Sequence, residues 1–408
     1  MRNKIISALT IFSVCALLAC GAAIRNPAAV GENKLSGNVN GRLVSATNQF
    51  GFDLFNKLRL KDRNQNIFYS PLSVTLALAM TYNGAAGETQ AAMARTLKIE
   101  GLGQDELNQA SAALLKALKS ADPKVELLIA NSLWSRQGVK FNEAFLERNR
   151  QFFGAEISSL NFADPSAVNT INNWVSRNTK NKIPTIMDRI DARDVMFLIN
   201  AIYFKGLWEK KFDQALTRNE PFHQLSGASK TVPMMSQAGD YPYYQGDKFQ
   251  AVRLFYGQKG ASLELFLPDQ GSSVEELMQN LTLEKYDQWA KNLRPSPGDL
   301  KIPRFKAAYE SSLNEALAAL GMGPAFNPTQ ADFSGMRPEK DVFISQVKHK
   351  AILEVNEEGT VAAAVTSVGV RTTSLRQRFT FTADRPFLMV IKDQATGTIL
   401  FMGVIKEV

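Results

Sequence analysis

From Thr360 to Val370 the chain carries no charge, no proline and no side chain larger than valine. Few structural roles suit such a run. Solvent loops usually bring Pro, Asn, Asp and charge, and Thr, Val and Gly are poor helix formers. Alternate residues of a strand share a face. One face would present Thr360, Ala362, Ala364, Thr366, Val368 and Val370, the other Val361, Ala363, Val365, Ser367 and Gly369. Both are small and uncharged, so either can be covered. The segment therefore reads either as a permanent core strand under a closely packed helix or as a strand that must slide into a narrow slot. Polar and basic residues from Arg371 to Arg378 follow it.

The rest of the chain is long enough to hold such a slot. Of its 408 residues, 45% are hydrophobic and 21% charged, an ordinary globular balance. Residues 45–408 contain no Pro/Gly/Ser-rich linker and no repeat period, which points to one large domain. Phe50, Leu54 and Leu58 recur at helical spacing, and a second helix is expected from Ser70 to Tyr82, with Ser70 as N-cap and Pro71 at the first helical position. Strand patterns fall at 127–133, 196–204, 250–255, 263–267, 343–347, 379–382, 387–391 and 399–404. They do not alternate strictly with helices, which argues for an α+β fold. Several are nearly all apolar, as strands in the middle of a large sheet are.

At the N-terminus, Arg2 and Lys4 precede an apolar run that ends in Leu17-Leu18-Ala19-Cys20. A basic start and a short apolar stretch read as an export signal, too short for a membrane span. Its end resembles the bacterial lipoprotein signal. That resemblance implies removal of residues 1–19, acylation of Cys20, and a protein lipid-anchored to a bacterial membrane, periplasmic or at the cell surface. A plain secretory signal is the alternative. Residues 20–44 read as a flexible tether, spanning about 25 to 30 Å in root-mean-square terms, and 45–408 as the folded domain. Cys15 and Cys20 are the only cysteines, so the mature domain is expected to have no internal disulfide. Losing Arg2 and Lys4 lowers the formal charge from +8 to +6. No arginine-rich or aromatic-interleaved run suggests nucleic acid.

Enzyme chemistry is hard to build here. His223 and His349 are the only histidines, so HExxH and Cys/His zinc spacings cannot be written. No G-x-S-x-G elbow or P-loop occurs, and Gly101-Leu102-Gly103 lacks the third glycine of a dinucleotide loop. No catalytic residue, metal or cofactor is expected.

The run Glu357-Glu358-Gly359-Thr360-Val361-Ala362-Ala363-Ala364 resembles the hinge of inhibitory serpins. Arg385-Pro386-Phe387-Leu388-Met389 and Phe401-Met402-Gly403 resemble the family's C-terminal strands. Asn66-Ile67-Phe68-Tyr69-Ser70-Pro71-Leu72-Ser73 resembles the entry to its helix B. Asn200 to Glu209 is similar to a strand of its central sheet, Leu300 to Phe305 to a later one, and Val347-Lys348-His349-Lys350-Ala351 leads into the hinge. The match covers roughly residues 46–408 in order. It implies three β-sheets (A, B and C), about nine helices and an exposed reactive loop at about 357–378. It also implies a monomer that acts as a suicide inhibitor. A serine protease attacks one loop bond, and the freed hinge then enters the central sheet as a new strand with the acyl enzyme attached.

Matching to the family places Ser70, Ser73, Asn200 and His349 in a hydrogen-bonded gate under the central sheet, and Trp208 where the loop enters. Counting on from Gly359 as inhibitory serpins do puts the cleaved bond at Thr373-Ser374. Threonine before the bond suits elastase-like or subtilisin-like proteases, while a bond at Arg371-Thr372 would suit trypsin-like ones. A non-inhibitory serpin-fold surface lipoprotein, acting as a binding module, is the alternative function.

Overall fold

The computed structural model describes residues 39–119, 121–191, 194–279, 281–359 and 377–408. The first helix, Gly41–Lys61, starts four residues before the domain boundary read from the sequence, because Asn40 caps it by accepting from the N–H groups of Arg42 (2.9 Å) and Leu43 (3.3 Å). Helix Pro71–Tyr82 has the expected ends. Pro71 begins it, and the Ser70 hydroxyl accepts from the Ser73 N–H at 3.1 Å. Every residue of this helix is buried, as expected of a segment apolar all round.

Two hydrogen-bonded sheets organise the chain. The five-stranded sheet runs, edge to edge, β10 (Phe305–Ser312), β11 (Gln346–Val355), β4 (Met196–Gly206), β2 (Val125–Arg136) and β3 (Glu156–Leu160). The nine-stranded one runs β1 (Ile67–Tyr69), β14 (Ile399–Ile405), β13 (Phe387–Asp393), β8 (Ala261–Pro268), β7 (Phe249–Tyr256), β6 (Ser229–Gln245), β9 (Arg294–Pro303) and β12 (Phe379–Thr382), with β5 (Arg218–His223) also on β6. Strand β6 carries two layers at once. It pairs with β5 and β9 over most of its length and with β7 only at Tyr243–Gln245. Where three sheets were expected, hydrogen bonding joins the strands into two, the larger continuous through β6. Nine α-helices lie among the described residues, giving the expected α+β class.

Two expectations need correction. Of the run 343–347 only Gln346 and Val347 are strand, because β11 starts at Gln346, and His349 lies inside β11. Val347, His349, Ala351, Leu353 and Val355 alternate inward, a period-2 pattern that the lysines between them obscure. Leu300–Pro303 belongs to β9 of the larger sheet, and the five-stranded sheet resumes only with β10 at Phe305.

Strand β4 is buried on both faces. Phe197, Ile199 and Ala201 pack under helix Ser166–Asn178 with Ile171, Trp174 and Val175. Met196, Leu198, Ile202 and Phe204 face the main core. That double cover explains why its sequence is almost continuously apolar, and why the polar Asn200 stands out in it.

Candidate functional site

The seam between β4 and β11 brings the expected gate residues together. These strands run parallel, paired from Phe197↔Gln346 to Tyr203↔Ile352. Asn200 lies opposite His349 across the seam and opposite Asn131 of β2 on its other side. The start of helix Pro71–Tyr82 supplies the rest. The Ser70 N–H donates to His349 Nε2 at 3.2 Å, and the Ser73 hydroxyl donates to Asn200 Oδ1. Asn200 Nδ2 then donates to Asn131 Oδ1 at 2.7 Å. Ser70, Ser73, Asn200, Asn131 and His349 are all buried.

His349 accepts through Nε2, so its proton sits on Nδ1. That atom is buried without a hydrogen-bond partner, and burial pushes the imidazole down to about 3. A neutral ring is what a site lined by amides and hydroxyls can hold. Asn131 belongs to this network although sequence reasoning passed over it. The one signal was an amide within the apolar run 127–133.

At the top of the seam the ladder stops after Ile352 and Tyr203, while β11 continues to Val355 and β4 to Gly206. The chain turns back at once. Asn356 and Gly359 exchange backbone hydrogen bonds of 2.9 and 3.2 Å, and Asn356 Oδ1 accepts from the Glu358 N–H at 3.0 Å. The turn seats Gly359 against Leu207. Only glycine fits there: φ is +137°, and a Cβ would lie 2.1 Å from the Gly206 carbonyl oxygen.

Trp208 closes the same end. Its Nε1 donates to the Asn356 carbonyl at 2.9 Å, its backbone N–H donates to that of Glu358 at 3.0 Å, and its ring stacks on Tyr256 at 4.3 Å. The two hinge carboxylates are held as well. Glu357 accepts from Arg304 Nε at 3.1 Å and from the Thr217 hydroxyl at 2.8 Å, and Glu358 pairs with Lys211 at 2.6 Å. Burial opposes the charge on Glu357, but the Arg304 guanidinium and the Thr217 hydroxyl outweigh it and hold the carboxyl below its ordinary value. Thr217, Arg304, Lys211 and Tyr256 had no sequence signal, since each lies in a different element from the hinge.

Residues 360–376 and 1–38 lie outside the described residues. These include the hinge positions Thr360, Ala362, Ala363 and Ala364, both candidate bonds (Thr373-Ser374 and Arg371-Thr372), and Cys20.

The model of the serpin family, serine protease inhibitors, matches residues 45–407. The chain belongs to the serpin family. Leukocyte elastase inhibitor of Homo sapiens is 36% identical over 374 residues, 89% of this chain and 98% of that one. The crystal structure of the thermophilic serpin tengpin in its native state superposes with a TM-score of 0.84 at 33% identity, covering 93% of this chain and 96% of that one. The crystal structure of human thyroxine-binding globulin gives 0.83 at 28% identity, covering 90% and 98%. Serpins act on proteases as inhibitors rather than as catalysts. Among the described residues of this serpin, no helix is long and apolar enough to cross a membrane.

Proposed function

We propose that this serpin is a suicide inhibitor of elastase-like or subtilisin-like serine proteases, lipid-anchored through Cys20 on an extracytoplasmic membrane face. The observation that carries the inhibitory reading is the seam itself. A parallel pair of strands ends unpaired at its top, with the chain already reversed there at Asn356–Gly359. A strand continuing from Gly359 would run antiparallel to both β11 and β4, replacing one parallel pairing by two antiparallel ones, which are slightly stronger per residue. Roughly ten new backbone hydrogen bonds at about 0.5 to 1.5 kcal/mol each amount to about 5 to 15 kcal/mol. That matches the whole stability of a typical domain, enough to distort a tethered protease. Strand addition of this kind is well known for serpin loops.

The uncharged run from Thr360 to Val370 supports the reading, because nothing in it resists burial on either face. The preference for small apolar pockets rests on Thr373 before the bond, and the human relative carries elastase in its name. The anchor rests on Leu17-Leu18-Ala19-Cys20; Cys20→Ala should release the protein from the membrane fraction.

Mixing the mature protein with elastase-like, subtilisin-like and trypsin-like proteases tests the proposal. An SDS-stable complex is expected with the first two, together with a C-terminal fragment beginning at Ser374. A fragment beginning at Thr372 would move the target to trypsin-like enzymes, and cleavage with no complex would favour the non-inhibitory binding module. Thr360→Arg would bury an unpaired guanidinium on insertion, at a cost of several kcal/mol, and should convert the inhibitor into a substrate.

A further inference from the structure

A second buried polar cluster lies away from the gate, where three helices meet. Asn83 caps the C-terminal end of helix Pro71–Tyr82. Its side chain forms a reciprocal amide pair with Asn108 of helix Gln104–Lys119, both bonds 2.9 Å. Asn83 Nδ2 also donates to Asn149 Oδ1 of helix Glu143–Phe153 at 3.3 Å. The Asn83 carbonyl accepts from Gln104 Nε2 at 2.9 Å and from Arg148 Nη1 at 3.3 Å. All three asparagines are buried. Buried amides are costly unless paired, and a core that needed only packing would fill these positions with leucine.

The topology shows what the cluster joins. Helix Gln104–Lys119 leads into β2, and helix Glu143–Phe153 lies between β2 and β3 in the chain. Helix Pro71–Tyr82 underlies the seam and touches both sides of it, its Ser73 being bonded to Asn200 of β4. Ser70 at its start is bonded to His349 of β11, and β1 just before it pairs with β14. A strand entering between β11 and β4 must separate β4, β2 and β3 from β11 and β10 by one strand spacing, about 4.8 Å. A helix held with the larger sheet through β1 cannot follow β2 through such a shift and keep hydrogen bonds of 2.9 Å to the helix that leads into β2.

We propose that Asn83, Asn108 and Asn149 form a clasp that holds the sheet in its five-stranded state and sets how fast the cleaved loop enters. This rests on the strand-insertion reading above. The three are positioning residues, acting through the helices that carry β2 and β3. A clasp made in the uncleaved form and broken before insertion stabilises only the uncleaved form, whereas ordinary packing would stabilise both.

Asn108→Leu in the full mature chain tests this, with Asn108→Ala as the milder variant should the first fold poorly. Unfolding temperatures of the uncleaved and loop-cleaved proteins, the rate of insertion after cleavage, and the stoichiometry of inhibition are measured beside wild type. The uncleaved variant should melt lower while the cleaved one melts as wild type does. Insertion should be faster by about five- to a hundredfold, the effect of losing the two bonds of the reciprocal pair, with less inhibitor consumed per protease. Equal lowering of both forms, or no change in either, overturns the clasp. Should wild type itself gain no heat stability on cleavage, the insertion reading fails and the clasp with it, and that failure is recognisable because it appears without any substitution.

Discussion

The gate beneath the seam and the entrance above it are both polar, yet opposite kinds of contact hold them. Ser70, Ser73, Asn131, Asn200 and His349 are buried, and their bonds run between neutral groups. At the entrance, Glu357 and Glu358 meet Arg304 and Lys211, whose side chains keep 46% and 25% of their surface exposed. Neutral groups can be buried once their hydrogen bonds are made, whereas a buried ion pair needs far better compensation. At the entrance the carboxylates of Glu357 and Glu358 are themselves buried and only their cationic partners reach water, while neutral amides and hydroxyls occupy the middle. The gate should be sensitive to shape and indifferent to salt, and the entrance the reverse.

The largest expected effect is at the gate. Asn200→Leu keeps the number and branching of the side-chain heavy atoms but leaves Asn131 Oδ1 and the Ser73 hydroxyl buried without this partner, at about 1 to 3 kcal/mol each. Denaturant unfolding should show a loss of about 2 to 6 kcal/mol, the same at low and high salt. A salt-dependent loss would break the contrast.

Acid should separate the two regions by pH. His349 has its folded pKa lowered to about 3, so between the ordinary histidine value near 6.5 and about 3 the unfolded chain binds a proton that the folded one refuses. Stability should fall as pH drops through that window, by roughly 1.4 kcal/mol per unit, and His349→Gln should flatten the slope. Glu357, lowered instead from a carboxylate value, contributes stability above its unfolded pKa that is lost only as pH falls through the folded one. The entrance should therefore weaken at more acid pH than the gate begins to. A titration in which both regions weaken together would remove the distinction.

The smallest effect belongs to the rim. Lys211→Met removes the partner of Glu358, whose side chain is only 11% exposed, and should cost about 1 kcal/mol at low salt, the upper end for a pair that water still reaches, and less at high salt as screening takes over. A loss above about 2 kcal/mol, far beyond the range of exposed pairs, would mean that the entrance is held like the gate.

Local chemistry alone determined a good deal. Ser70 and Pro71 start their helix because capping needs only neighbours in the chain. The apolar run in β4 announces a strand covered on both faces. The α+β class was readable, and Ser70, Ser73, Asn200 and His349, grouped by likeness to the family, do lie together. What depends on which strand lies opposite which was not. Leu300–Pro303 and Phe305–Ser312 adjoin in sequence and separate into two sheets, and the lysines of β11 hid a strand whose inward face is continuous. Asn131, Thr217, Arg304 and the asparagines at 83, 108 and 149 acquire their roles only from partners far along the chain. A hydrogen bond between distant side chains is decided by strand register and helix placement, and these follow from packing the whole core rather than from any local run of residues.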